Sequence, residues 1–340
     1  MFGNVYGLDL GTCEIKVYDK KKDSIWKEHN VIAIANEKQI FSVGDSAYEM
    51  FERTPENIEI IFPMKEGVIS HFYDMQYLLQ NLLKKERRFA RGSKYVVAVP
   101  SDVTAVEKRA FYDLVVHSTA RAREVHIVER GIADAIGAGI DVVNSPGIFI
   151  ANFGAETTEL SVIASGGMVF NKLVKVGGFV FDHAISNLVR HRHDFLIGQT
   201  TAEDLRINFD IFNDDSKKSK KVSGRDLITG VPQQKEISVN IVRTAMKESL
   251  ETCVREIKML IERTPPVVLR AIQNDGIYIT GGLANQKGLA KYLEGAIGIK
   301  VNSVATPEIC AVNGLKKIIQ SKELQKLTFS MLDESYRWIE

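Results

Sequence analysis

The sequence has few cysteines, few prolines and no long hydrophobic run. Its 340 residues include three cysteines and eight prolines. Cys13, Cys253 and Cys310 are odd in number and widely spaced, so they predict neither a disulfide framework nor a metal-ligand cluster, and we expect a reducing cytoplasm. The apolar stretches, such as residues 95–100 and 147–154, have the size of strands. Both are far shorter than the roughly 18 residues of a membrane-spanning helix.

An excess of charge of one sign is also missing. The 44 basic and 43 acidic residues leave a formal charge of +1, so no global field attracts the chain to nucleic acid. The first residues enter a strand-like pattern at once, without a charged segment before an apolar one, so we expect no signal peptide. With 45% hydrophobic and 26% charged residues, the composition predicts a folded protein of two domains or one large two-lobed body.

Two segments share a pattern of strand, glycine turn and strand. Residues 5–18 alternate apolar residues around Gly7 and Gly11, and residues 147–164 repeat the pattern around Gly154. The segments superimpose position by position around their glycines and threonines. This match indicates an internal duplication.

Amphipathic helices follow both segments. Apolar stripes over residues 75–83 and 241–261 have the spacing of helices that face a core. Capping-box patterns at residues 104–107 and 200–203 predict two helix starts. The polar, basic stretch at residues 213–225 predicts an exposed hairpin or loop. Strands that alternate with helices in two similar halves predict an α/β protein with a ligand cleft between the halves.

Four glycine-containing turns stand at predicted strand ends, at residues 11–12, 153–154, 176–178 and 280–282. A nucleotide phosphate needs backbone amides at close range, and glycine lacks the side chain that would block this approach. Because two of these turns lie in the repeated segments, they predict a phosphate-binding cleft.

Longer motifs spread along the chain are more specific. They include GLDLGTCEIKVY, VAVPSDVTAVEKRAF, KVGGFVFDHAI, IGQTTAEDLRI, SGRDLITGVP and GIYITGGLANQKGL. With these motifs the chain resembles the MreB/Mbl family of bacterial actin homologues over residues 5–320. The resemblance implies an α/β, actin-like ATPase fold of two similar lobes and four subdomains around a nucleotide cleft. It also implies ATP or ADP with Mg²⁺ in that cleft, and assembly into protofilaments beneath the membrane.

The resemblance also implies a division of the chain. Residues 1–145 would form the first lobe, with a small subdomain at about residues 30–75. Residues 146–320 would form the second lobe, with a small subdomain at about residues 180–240. Residues 321–340 extend beyond the matched part, and their apolar spacing predicts packing on the chain itself or on a partner.

Carried over by position, the family's nucleotide site implies two turns that contact the phosphates and a further set of residues that line the adenosine. Lys16 falls where actin itself has a phosphate-contacting lysine, although it could equally be a solvated strand residue. The candidate nucleotide-binding residues are Thr12, Cys13, Glu14, Lys16, Gly154, Ala155, Glu156, Thr157, Gly177, Glu203, Arg206, Gly281, Gly282, Leu283 and Ala284.

Three positions depart from the family pattern. Asn152 replaces the aspartate that holds a Mg²⁺-bound water, and Glu156 replaces a glycine beside the phosphates. Arg130 replaces the glutamate that polarises the attacking water, and a guanidinium cannot act as a base. Glu129 could stand in, but a helical neighbour points about 100° away. We therefore expect Arg130 and Asn152 to be inactive catalytic positions, and magnesium-nucleotide binding to be weakened or absent.

Two interpretations of Glu156 are open at this stage. Its carboxylate pairs with Arg130 or Lys16 across the cleft and imitates a terminal phosphate, or it turns to solvent. Independently of Glu156, we expect no cluster of protein side chains that binds a metal ion.

The sequence thus predicts a cytoskeletal filament subunit for cell-shape maintenance whose ATPase activity is weak or lost. The alternatives are an active filament ATPase with a rearranged site and a kinase or chaperone-type ATPase of the same superfamily. The expected partners are copies of the chain, an active paralogue and the cell-wall elongation machinery. The expected location is the cytoplasm at the inner face of the cell membrane. Arg88, Phe89 and Arg91 are the candidate membrane contact, or else a solvated helix end.

Overall fold

A computed structural model describes residues 3–36, 39–85, 92–118, 122–213, 215 and 217–331. The candidate membrane residues Arg88, Phe89 and Arg91 lie outside these ranges. The strands are β1 (Val5–Leu10), β2 (Glu14–Asp19), β3 (Ser24–His29), β4 (Ile32–Ala35), β5 (Gln39–Val43), β6 (Ile58–Ile61), β7 (Met64–Lys65), β8 (Val68–Ile69), β9 (Lys94–Val99), β10 (Glu124–Glu129), β11 (Ile148–Phe153), β12 (Thr158–Ala164), β13 (Gly167–Val174), β14 (Phe195–Leu196), β15 (Ser219–Asp226), β16 (Pro232–Ser238), β17 (Ile277–Thr280) and β18 (Val301–Ser303).

Helices cover both faces of the larger sheets. Short 3-10 turns also occur at Gly282–Asn285, Pro307–Ile309 and Leu324–Leu327. The α-helices are α1 (Asp45–Tyr48), α2 (Phe72–Lys85), α3 (Ala105–Ser118), α4 (Arg130–Gly137), α5 (Gly178–His193), α6 (Gln199–Asn208), α7 (Val239–Arg263), α8 (Pro266–Asp275), α9 (Leu289–Ile297) and α10 (Cys310–Gln320).

Two five-stranded sheets have the same topology. Their strand orders are β10-β9-β1-β2-β3 and β18-β17-β11-β12-β13. In each sheet an antiparallel hairpin, β1–β2 or β11–β12, pairs in parallel with the strand beside it, β9 or β17. The two repeated segments of the sequence are these two hairpins. Small sheets formed by β4–β6 and by β14–β16 accompany them.

Helices α4 and α10 pack between the two large sheets at very short range. A β-carbon at Gly314 would lie 1.8 Å from the carbonyl oxygen of Ala133, and one at Gly137 would lie 2.0 Å from that of Cys310. Glycine is therefore required at both contacts. The pair forms an apolar cluster with residues of both sheets, while each sheet has a further core on its other face.

The predicted helices over residues 75–83 and 241–261 are α2 and α7, and their stripes face the core. The capping box of α3 is confirmed, because the Thr104 amide donates to the Glu107 carboxylate at 2.7 Å and the Glu107 amide donates to the Thr104 hydroxyl at 3.2 Å. The prediction of a capping box at residues 200–203 is wrong. Helix α6 begins at Gln199, so Thr200 lies within its first turn.

The basic hairpin and the C-terminal extension were also predicted from the sequence. The basic stretch at residues 213–225 leads into the exposed hairpin β15–β16, as predicted. At the C-terminal end, Phe329 forms a β-bridge with Ile127 and Met331 is buried, so the extension packs on the chain itself as far as it is described. Within the described residues no helix has the length and apolar character needed to cross a bilayer.

Candidate functional site

A cavity of about 660 Å³ lies between the two large sheets, where the turns of the two repeated hairpins meet. This volume is typical of a small-molecule site. Most of the predicted nucleotide residues line it: Thr12, Cys13, Glu14, Lys16, Gly154, Ala155, Thr157, Glu203, Arg206, Gly281, Gly282 and Leu283.

The two glycine turns have the same hydrogen bond. The Gly11 amide donates to the Glu14 carbonyl at 3.0 Å, and the Gly154 amide donates to the Thr157 carbonyl at 2.8 Å. The first turn of α5 then holds the second glycine turn, because the Phe179 amide donates to the Ala155 carbonyl at 2.7 Å. The local sequence therefore places two equivalent backbone turns on opposite sides of one cavity.

Three predicted nucleotide residues do not line the cavity. Glu156 is turned away, because its carboxylate accepts the backbone amide of Glu66 in the first half of the chain. Gly177 packs against the second turn, where a β-carbon would lie 2.6 Å from the Glu156 carbonyl carbon. Ala284 lies in a 3-10 turn that directs it toward the core of the second lobe.

Both interpretations of Glu156 are therefore wrong. Its carboxylate is half-buried against Glu66, so it neither faces solvent nor pairs with Arg130 or Lys16. Lys16 instead lies 3.3 Å from Glu14, and its side chain is 11% exposed. Lys16 is thus a cavity residue and not a solvated strand residue.

Sequence reasoning missed the acidic floor of the cavity, which consists of Asp9, Asp134 and Glu159. Asp9 stands two residues before Gly11 at the end of β1, and Glu159 stands two residues after Thr157 in β12. Asp134 follows Arg130 by four residues on α4, which places both on one helix face. Each residue thus had a signal in its spacing from a residue already singled out.

Arg130 lies among these carboxyl groups. Its Nε is 3.3 Å from Asp9 Oδ1, its Nη1 is 3.4 Å from Glu159 Oε2, and its Nη2 donates to the Leu10 carbonyl at 3.1 Å. Burial disfavours the charged guanidinium, but the carboxyl groups of Asp9, Glu159 and Asp134 outweigh it and raise the pKa of Arg130. Arg130 is therefore a buried, permanently charged cation.

Asp134 has the opposite character. Burial raises the pKa of its carboxyl group to about 8, although a 2.6 Å hydrogen bond from the Asn152 amide partly offsets this shift. The carboxyl group is therefore largely protonated at neutral pH. Burial also raises the pKa of Glu159, against the opposing effects of Arg130 and Ser101.

Glu129 does not replace the missing base. It ends β10 with extended backbone, φ −64° and ψ 131°, so the prediction that Glu129 lies in a helix is wrong. Glu129 still cannot replace the base, for a different reason. Its carboxylate is 3.7 Å from Lys108 Nζ, and Glu129 is absent from the described lining of the cavity.

At the other end of the cavity, Arg206 is fixed by a buried carboxylate. Its Nε donates to Asp182 Oδ1 at 2.7 Å and its Nη2 lies 3.3 Å from Glu203. Burial raises the pKa of Asp182 to about 6, while Arg206 acts in the opposite direction. At the first turn, burial raises the pKa of Cys13 to about 12, so its thiol is unreactive.

The cavity fits a nucleotide in size and in its paired glycine turns, but its floor does not fit Mg²⁺. That ion requires oxygen ligands that are free to coordinate it or its waters. Asn152 is uncharged, Asp134 is largely protonated, and a guanidinium lies between Asp9 and Glu159. Among the described residues, no group of three or more His, Cys, Asp or Glu side chains is arranged to hold a metal ion.

The sequence profile described as MreB/Mbl protein matches residues 3–327. The chain belongs to the MreB/Mbl family. The cell shape-determining protein MreB of Escherichia coli K12 is 35% identical over an alignment of 331 residues, and the match covers 94% of each chain. The cell shape-determining protein Mbl of Bacillus subtilis 168 is 31% identical over 318 residues, which cover 92% of this chain and 95% of Mbl.

Solved MreB structures have the same fold as this MreB/Mbl chain. MreB5 of Spiroplasma citri bound to ADP gives a TM-score of 0.87 at 27% identity, with 94% of this chain and 96% of that one covered. MreB5 bound to AMPPNP gives 0.89, also at 27% identity, with coverage of 96% and 98%. A MamK double helical filament gives 0.77 at 18% identity, with coverage of 94% and 99%. The predicted α/β, actin-like fold of two similar lobes and four subdomains is therefore confirmed.

Proposed function

We propose that this chain is the subunit of an actin-like cytoskeletal filament that maintains bacterial cell shape, with nucleotide in its cleft and with ATP hydrolysis weak or lost. The observation that carries the proposal is the combination of family membership with Arg130 at the floor of the cavity. The two named relatives are cell shape-determining proteins that match nearly the whole chain. The MreB5 structures bind ADP and AMPPNP, which supports a nucleotide in the equivalent cleft.

The loss of hydrolysis follows from the side chains at the floor. A base must accept a proton from the attacking water, and the guanidinium of Arg130 cannot do so. A rearranged active site would have to use a carboxyl group of the floor, but Asp9 and Glu159 contact the Arg130 guanidinium, and the pKa of about 8 leaves Asp134 largely protonated at neutral pH. We therefore favour a filament subunit with little turnover over an active ATPase with a rearranged site.

The proposal extends to location and partners. We infer self-association into protofilaments at the cytoplasmic face of the membrane, with an active paralogue and the cell-wall elongation machinery as further partners. The balanced charge of +1 gives no support for a nucleic-acid partner. The lobes in this proposal are residues 1–145 and 146–320.

Two glycines provide a matched pair of variants for testing the role of the cleft. A β-carbon at Gly282 meets no atom within 4 Å, and Gly282 lines the cavity. Gly295 is equally open but lies on α9, away from the cavity. Gly282→Tyr should therefore fill the nucleotide site without a clash in the protein, and Gly295→Tyr should leave it open.

The test is sedimentation with and without ATP, electron microscopy of the pellet and a phosphate-release assay beside Escherichia coli MreB. We expect ordered filaments, a nucleotide effect that Gly282→Tyr abolishes and Gly295→Tyr retains, and turnover at least tenfold below that of the relative. Absence of ordered filaments under every condition would contradict the filament proposal. Turnover equal to that of the relative would contradict the loss of hydrolysis.

A further inference from the structure

The position of Arg130 suggests how the cleft holds a phosphate chain. Arg130 is the first residue of α4 and lies at the floor between the two glycine turns. Asp9 at one side of its guanidinium belongs to the first sheet, and Glu159 at the other side belongs to the second. A positive charge is thus built into the protein at the junction of the lobes.

The contacts of Arg130 are long for a charged group. Its three nearest partners lie at 3.1 to 3.4 Å, whereas charge-assisted hydrogen bonds are typically about 2.7–2.9 Å long. A guanidinium has five N–H protons. In Arg130, Nη1 and Nη2 each donate one hydrogen bond, while Nε lies near Asp9 without a hydrogen bond. A second proton therefore remains on each Nη for an anionic ligand in the cavity, as far as the described residues show.

We propose that the guanidinium of Arg130 takes the place of a divalent cation in this cleft, so that the chain binds nucleoside di- and triphosphates without a metal ion. This inference rests on the proposed nucleotide site and adds its cation requirement. Arg130 lies between two carboxylates from opposite lobes, Asn152 has no charge to offer a metal, and Lys16 supplies a second cation to the cavity. Together the two cations offer N–H donors to the phosphates, in addition to their contacts with Asp9, Glu159 and Glu14.

The test compares affinities for ADP and AMPPNP by calorimetry in excess Mg²⁺ and in EDTA. We expect the wild-type dissociation constants in the two buffers to agree within about threefold. Arg130→Gln should weaken binding in EDTA by about tenfold or more, because it removes hydrogen bonds from a charged donor. Mg²⁺ should then restore part of its affinity, since Asp9 and Glu159 are no longer paired with a guanidinium.

Two further variants separate charge from folding. Arg130→Lys keeps a cation at the floor and should retain binding in EDTA, and Arg123→Gln removes an exposed arginine just before β10 and should change nothing. Wild-type binding that is at least ten times tighter with Mg²⁺ would overturn the inference and leave the proposed nucleotide site intact. Equal affinities of wild type and folded Arg130→Gln in EDTA would overturn it as well. Absence of binding in both buffers would refute both the inference and the proposed nucleotide site.

Discussion

At the residue scale, the arrangement of charged and uncharged side chains distinguishes the floor of this cleft. The carboxylate expected at position 152 is absent, and a carboxyl group is present at position 134, hydrogen-bonded to the Asn152 amide at 2.6 Å. A guanidinium stands in place of the expected base at position 130. These side chains are coupled through direct contacts, because Asn152 contacts Asp134 and Arg130 contacts Asp9 and Glu159.

The buried carboxyl group of Asp134 predicts a pH dependence of stability. In the folded chain its pKa of about 8 keeps it protonated, whereas in the unfolded chain it ionises near the usual value of about 4. The folded chain binds more protons between these values, so stability falls as the pH rises from about 4 to 8. The loss is roughly 1 kcal/mol per pH unit and sums to a few kcal/mol.

The measurement is urea unfolding of wild type and Asp134→Asn at pH 5 and pH 8. The variant keeps an acceptor for Asn152 and cannot ionise, so its advantage over wild type should be larger at pH 8 by about 1–3 kcal/mol. Glu262→Gln, which neutralises an exposed carboxylate on α7, should show no such change. A difference between Asp134→Asn and wild type that is the same at both pH values would contradict the assignment of the raised pKa to this residue.

At the element scale, helix α6 obtains its N-terminal cap from the other half of the chain. The amide of Thr200 donates to the Glu52 carboxylate at 3.0 Å, and the Gln199 amide donates to the same carboxylate. Free amides at a helix N-terminus favour a negative partner. Glu52 holds a positive φ of 63° in this position, which is uncommon for a residue with a side chain.

Glu52→Ala should therefore loosen the first turn of α6. A lost cap is worth about 1 kcal/mol, so exchange of the Gln199 and Thr200 amides should accelerate by roughly fivefold in native-state hydrogen exchange. Glu56→Ala removes an exposed glutamate four residues away and serves as the control. Unchanged exchange at both amides would show that Glu52 does not cap the helix in solution.

The same contact shows what the sequence could and could not predict. The helices α2 and α7, the α3 cap and the paired hairpins follow from local spacing, because their apolar periods and turn residues lie within a few positions of one another. The partners of Thr200 and Glu156 are 148 and 90 positions away in sequence. Local patterns carry no information on such pairs, so the second capping box and the direction of Glu156 were predicted wrongly. The family resemblance located the cleft, but the pairing of its charges required coordinates.

At the scale of the whole molecule, polar contacts join residues of the two lobes. The Leu173 amide donates to the Asp102 carboxylate at 2.8 Å, and the Ser101 amide donates to Glu159 at 3.0 Å. Glu66 also interacts with the Glu156 carboxylate through its amide and with Lys175 through its side chain. These contacts hold the lobes together across the cavity.

The carboxylates of Glu52 and Glu156 accept backbone amides from the opposite lobe, so these two contacts should control how far the cleft opens. The double variant Glu52→Ala/Glu156→Ala removes both carboxylates and leaves the core between α4 and α10 intact. In small-angle X-ray scattering without nucleotide, we expect a radius of gyration a few per cent above the roughly 20 Å of a compact chain of this length. AMPPNP should reduce the difference, because a ligand bound between the lobes replaces the lost contacts. The control Glu49→Ala/Glu56→Ala removes two exposed carboxylates from the first lobe and should scatter as the wild type does. Superimposable profiles of the double variant and the wild type would mean that the packed helices alone set the closure of the lobes.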